Sequence, residues 1–146
     1  MKRAIMLLLF LGLPTVLAGA DKDPSAKDLE TMQGDWAVVE YVAVGVRSED
    51  DNAQSLFRTI KGDHYTVFLF DKALGSGTIK LDATQTPKHI DSLPDKMPGK
   101  PFLGIYEIDG NRIKVCYAPP SKDRPSELVS RKDTGHTFMI WEREKK

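Results

Sequence analysis

The chain has 146 residues, 40% of them apolar, with 21 basic and 21 acidic side chains and one cysteine. With no net charge and no basic cluster it lacks the face that neutralises phosphates, which excludes nucleic-acid binding. One cysteine excludes an intrachain disulfide, and the length suits one domain with one core.

Residues 1–20 read as a signal peptide. Lys2 and Arg3 precede an almost wholly apolar run from Ala4 to Leu17, and Ala18-Gly19-Ala20 supplies the small residues that signal peptidase needs before Asp21. The run is short for a bilayer span and contains Pro14, so a retained transmembrane anchor is the weaker reading. The first mature position is Asp21 rather than a lipid-bearing cysteine. These features predict an extracytoplasmic protein, periplasmic or secreted, with no transmembrane segment after cleavage. Its charge would be −2, because the leader carries two of the 21 basic side chains and none of the 21 acidic ones.

Residues 21–33 predict a polar tail and a short helix, capped by Ser25 and reaching Gln33 with Leu29 and Met32 on one face. From Gly34 the period changes to two. "DWAVVEYVAV" is rich in β-branched and aromatic residues, and strict alternation puts Trp36, Val38, Val42 and Val44 on one face. A charged connection, "VRSEDDN", leads to "SLFRTIK" and "HYTVFLF", two strands joined at Gly62-Asp63 in a hairpin. "DKALGSG" reads as a loop, "GTIKLDA" as a strand, "HIDSL" as a short strand, and "PDKMPGKP" as a loop.

Two further strands flank Asp109-Gly110-Asn111. Whichever two residues form the turn, Phe102, Tyr106, Ile108, Ile113, Val115 and Tyr117 share one face, and Leu103, Ile105, Glu107, Arg112, Lys114 and Cys116 the other. After the polar loop "SKDRPSELVSRKDTG" the chain closes on the strand "HTFMIWERE". About eight strands joined mostly by short turns predict an all-β fold over residues 34–146. Its expected form is a single antiparallel up-and-down barrel, which removes exposed edges by closing, with a two-sheet sandwich as the alternative.

Few residues invite chemistry. Cys116 sits mid-strand between Val115 and Tyr117, which fits a buried structural thiol better than a thiolate nucleophile. His64, His89 and His136 are far apart and lack metal-binding spacing, and Gly75-Ser76-Gly77 lacks the flanks of a nucleophile elbow and reads as a turn. No catalytic residue, metal ligand or cofactor site is therefore assigned. Gly34 two residues before Trp36 lets an indole tuck across the closed end of a barrel, where Arg143 or Arg131 can stack on it. Three function classes follow: a binder of a small apolar molecule through Phe68, Phe70, Tyr106 and Tyr117, a module contacting an envelope protein through "MPGKP" or "PPSKDRP", and, lowest, an enzyme.

Met32-Gln33-Gly34-Asp35-Trp36, the block Gly104-Ile105-Tyr106-Glu107-Ile108-Asp109-Gly110, and Cys116-Tyr117-Ala118-Pro119-Pro120 with Arg124-Pro125 together resemble a secreted domain family abundant in planctomycete bacteria. The likeness covers nearly the whole mature chain. It implies a lipocalin-like barrel behind a signal peptide and carries over no activity and no catalytic residue.

Overall fold

The computed structural model describes residues 23–48 and 55–145. The leader expected over residues 1–20, the first two residues of the tail and most of the acidic connection lie outside the described residues.

Helix α1 (Pro24–Thr31) is capped by Asp23, not by Ser25. The Asp23 carboxylate accepts the Ser25 N–H at 3.1 Å, and Pro24 suits the first turn because its missing N–H would have had no partner there. The Ser25 hydroxyl instead accepts the backbone N–H of Ala83 at 2.9 Å, tying the helix to the sheet.

Among the described residues nine strands form one sheet: β1 (Gly34–Ala43), β2 (Val46–Arg47), β3 (Leu56–Lys61), β4 (His64–Leu69), β5 (Lys72–Asp82), β6 (Lys88–Pro94), β7 (Phe102–Asp109), β8 (Arg112–Tyr117) and β9 (Thr137–Arg143). Each pairs antiparallel with the next in space, and β1 pairs with β9 as well as with β3, so eight of them close into a barrel. The up-and-down barrel expected from the alternation is thus the fold, and a two-sheet sandwich is not. The two-residue β2 lies outside that count as a hairpin return along the far part of β1.

Two strand readings need correction, and a third, left open between two turns, is decided. First, β1 carries an extra residue: Val38 pairs with Trp141 and Glu40 with Ile140, which leaves Val39 unpaired and half-exposed. A bulge of this kind inverts the alternation beyond it. Tyr41, rather than Val42, then packs against the core, and Val44 lies exposed in the turn to β2 at φ 52°. Second, "DKALGSG" is not a loop, because β5 starts at Lys72 and the turn is Phe70-Asp71. Third, the β7–β8 turn is Gly110-Asn111, since Asp109 pairs with Arg112.

The core occupies the half of the barrel beneath α1. Trp36, Val38, Ile60, Ile79, Ile90, Tyr106, Ile113, Val115 and Trp141 point inward, and Met32 of the helix turn plugs the end. The segment 118–136 wraps the outside of β6, β7 and β8. Arg124 anchors it with bonds of 2.7 Å each to the Asp91 carboxylate and the Gly104 carbonyl, and Pro125 is buried.

Candidate functional site

The two ends of the barrel differ in kind. At the helix end the Trp36 indole N–H donates to the Met32 carbonyl at 2.8 Å, and the Arg143 guanidinium stacks 4.3 Å above the indole ring. Arg143 also donates to the carbonyls of Gln33 (2.7 Å) and Thr31, so one cation satisfies the helix terminus and covers the ring. Gly34 makes this approach possible: its φ is 109°, and a Cβ there would lie 3.2 Å from the guanidinium. Arg131, the other candidate for that stacking, forms a surface pair with Glu127 instead.

Tyr106 is part of this floor. It is 2% exposed, and its hydroxyl donates to Asp28 of α1 at 2.7 Å, beside the Lys88 ammonium at 2.8 Å from the same oxygen. Burial and that carboxylate push the phenol pKa far upward, which keeps the hydroxyl a donor.

Above the floor, at the opposite end, a cavity of about 370 Å³ opens between the strands. Tyr41, Val67, Phe102, Tyr117 and Met139 form much of its wall, and Pro119 and Gly135 of the wrapping segment stand at its mouth. Of the four residues expected to bind a ligand, Tyr117 alone lines this cavity. Phe68 and Phe70 do not, because Tyr65 and Val67 take the inward positions of β4; Phe70 sits in the turn after the strand and is 56% exposed.

The residue that dominates the cavity was not singled out from sequence. Arg58 of β3 points inward between Leu56 and Ile60 and is 8% exposed. Its guanidinium lies 4.6 Å from the Tyr65 ring centroid and 4.9 Å from that of Trp141. A desolvated cation–π contact contributes about 2 kcal/mol, whereas burying a lone ion costs several kcal/mol, so the two rings offset much of that cost without neutralising the charge. Arginine cannot shed its proton to escape. Among the described residues the carboxylates of Asp28, Glu40, Asp91, Glu127 and Glu142 pair with other cations, and none pairs with Arg58.

The neighbouring polar atoms share this excess of donors. Arg58 Nε, Trp141 Nε1 and Tyr117 Oη are buried with no hydrogen-bond partner in the protein. Tyr65 Oη accepts the Ser92 hydroxyl at 2.8 Å, which leaves its own proton free. Burial raises the Tyr117 phenol pKa and the nearby Arg58 charge opposes that rise, so near neutral pH the hydroxyl keeps its proton and can donate.

Two glycines make room for these tyrosines. Gly77 pairs with Tyr65 and Gly104 with Tyr117, and each tyrosine lies across its glycine, with Tyr65 Oη and a Tyr117 ring carbon each 2.7 Å from where a Cβ would stand. Gly77 is therefore not part of a turn. It is a notch in β5.

Cys116 is fully buried, but on the outer face of β8 beneath the wrapping segment, not inside the barrel. Its thiol donates to the Val129 carbonyl at 3.6 Å, and burial pushes its pKa up to about 11. The native thiol should therefore resist an aromatic disulfide reagent at pH 8 and react only as fast as the chain opens. The folded state favours the neutral thiol, so its contribution to stability is complete below the ordinary value near 9 and is lost as pH rises through about 11. Urea melts at pH 8 and pH 10 should show a smaller alkaline loss for Cys116→Ala than for the parent chain.

Among the described residues no three of His, Cys, Asp and Glu converge as a metal site would require, and no helix is long and apolar enough to cross a membrane. His64 lies 3.9 Å from Asp95 on the surface. No family model, curated protein or solved structure matches the chain.

Proposed function

We propose that the chain is an exported, non-enzymatic binding protein that holds a small, mainly apolar molecule in the open end of its barrel. The observation that carries this reading is the cavity of about 370 Å³ above a floor closed by Trp36, Arg143 and α1. Its volume falls within the usual range of ligand sites, near the lower limit, and its wall is largely apolar and aromatic with a few convergent polar groups. The apolar leader supports export. The likeness to the secreted lipocalin-like family belongs to the same proposal, since its Gly34, Trp36 and Arg124-Pro125 are the residues that build the floor and pin the wrapping segment.

The reading of "PPSKDRP" as a free contact surface has less support. Arg124 and Pro125 are engaged against the barrel, so much of that segment serves the fold.

Calorimetric titration of the purified full chain with decanol tests the binding reading. Saturable uptake at one site per chain is expected, and Val67→Trp, which fills the cavity, should weaken it at least tenfold while leaving the thermal midpoint within a few degrees. Absence of saturable uptake of decanol and of its carboxylate and ammonium analogues alike would refute the reading.

A further inference from the structure

We propose that the ligand is an amphiphile with a single carboxylate head, bound head-down with its oxygens on Arg58 and Tyr117 and its apolar body in the upper cavity. This assignment rests on the binding reading above and names the class of molecule that the site takes.

The chemistry of the donors leads to it. Arg58 is more than nine-tenths buried and lines the cavity, and among the described residues it has no carboxylate partner. Arg58 Nε and Trp141 Nε1 only donate and lack a partner in the protein, and Tyr117 Oη, beside the Arg58 guanidinium, has a proton to give. A neutral ligand would answer the hydrogen bonds and leave the charge. A second cation would compound it.

Geometry narrows the choice further. The rings of Tyr65 and Trp141, at 4.6 and 4.9 Å, hold the guanidinium in place, and a planar guanidinium matches the two oxygens of a carboxylate. One cation balances one negative charge, whereas a phosphate monoester carries about −1.5 to −2 at neutral pH and would bring an excess. The cavity wall also offers both kinds of contact. Arg58, Tyr65, Ser92, Tyr117, Tyr41 and Thr137 bring polar groups, while Val67, Phe102 and Met139 offer apolar contact. A molecule with one charged end and one oily end satisfies both.

The test compares decanoate, decanol and decylammonium on the purified full chain at neutral pH and fixed salt. Decanoate should bind at least tenfold more tightly than decanol, with decylammonium weakest. Arg58→Met should abolish the gap between decanoate and decanol, and Tyr117→Phe, which keeps the ring, should narrow the gap several-fold. The preference of the parent chain needs no variant, so the inference stays open to refutation even where Arg58→Met fails to fold. Equal binding of decanoate and decanol would overturn the carboxylate assignment and leave the cavity reading standing. A decanoate preference that survives both substitutions would place the anion elsewhere and overturn it too. Failure of all three probes would remove the cavity reading, and the assignment with it.

Discussion

Replacing Trp36 by alanine should destabilise the protein by about 3 to 5 kcal/mol, the range for emptying a fully buried aromatic site. The indole is 0% exposed and stands at the junction of β1, β3, β9 and the helix turn, where its neighbours cannot collapse inward without opening the barrel end. Two further losses come with the ring. The Met32 carbonyl loses its donor at 2.8 Å, and the Arg143 guanidinium loses the face it stacks on at 4.3 Å. Because Arg143 also bonds the Gln33 and Thr31 carbonyls, α1 should loosen together with the floor. Urea unfolding followed by far-ultraviolet circular dichroism measures the effect. A loss below about 1 kcal/mol would show that the site relaxes freely and that Trp36 is not a keystone of the core.

The fold was legible because its signals are local. Alternation marks most of the strands, and Gly62-Asp63 and Gly110-Asn111 mark two of the two-residue hairpins. The bulge at Val39 left no mark, since every residue of "VVEYV" suits a strand and nothing in it says which one is unpaired. The glycines of "GSG" misled in the opposite direction. Glycine punctuates loops far more often than it notches strands, and only the partner strand reveals that Tyr65 lies across Gly77.

The site was harder to read than the fold because parity in β3 and β4 is ambiguous. In "LFRTIK" the sets Leu56-Arg58-Ile60 and Phe57-Thr59-Lys61 each mix apolar and polar residues, and in "HYTVFLF" the sets His64-Thr66-Phe68-Phe70 and Tyr65-Val67-Leu69 both carry large apolar side chains. Choosing the larger rings, Phe68 and Phe70, selected the wrong face. The two-residue turn held the answer: Gly62-Asp63 pairs Ile60 with Tyr65 and Arg58 with Val67, so once Ile60 is inside, Tyr65, Val67 and the charged Arg58 are inside with it. Cys116 shows the limit of such reasoning. Its parity correctly puts it opposite Val115 and Tyr117, yet its burial depends on a segment that returns over the outer face and is anchored by Arg124, a contact that alternation cannot foresee.

Gly104→Ala should cost about 2 to 3 kcal/mol, the upper part of the range for overpacking, although it adds only a methyl group. The new Cβ would stand 2.7 Å from both the Cys116 carbonyl oxygen and the Tyr117 ring, closer than real contacts allow. The carbonyl belongs to β8, which is held in register on both sides by β7 and β9, and so has little freedom to retreat. Tyr117 has more, because it borders the cavity. Relief therefore comes mainly from swinging the ring into the space above Arg58, at the expense of the place where a ligand would sit. Stability and ligand affinity should fall together in Gly104→Ala, and pairing it with Tyr117→Leu should recover stability without restoring any preference for decanoate. A fully additive loss in the double variant would mean that the strain lies in the β7–β8 backbone rather than in the tyrosine.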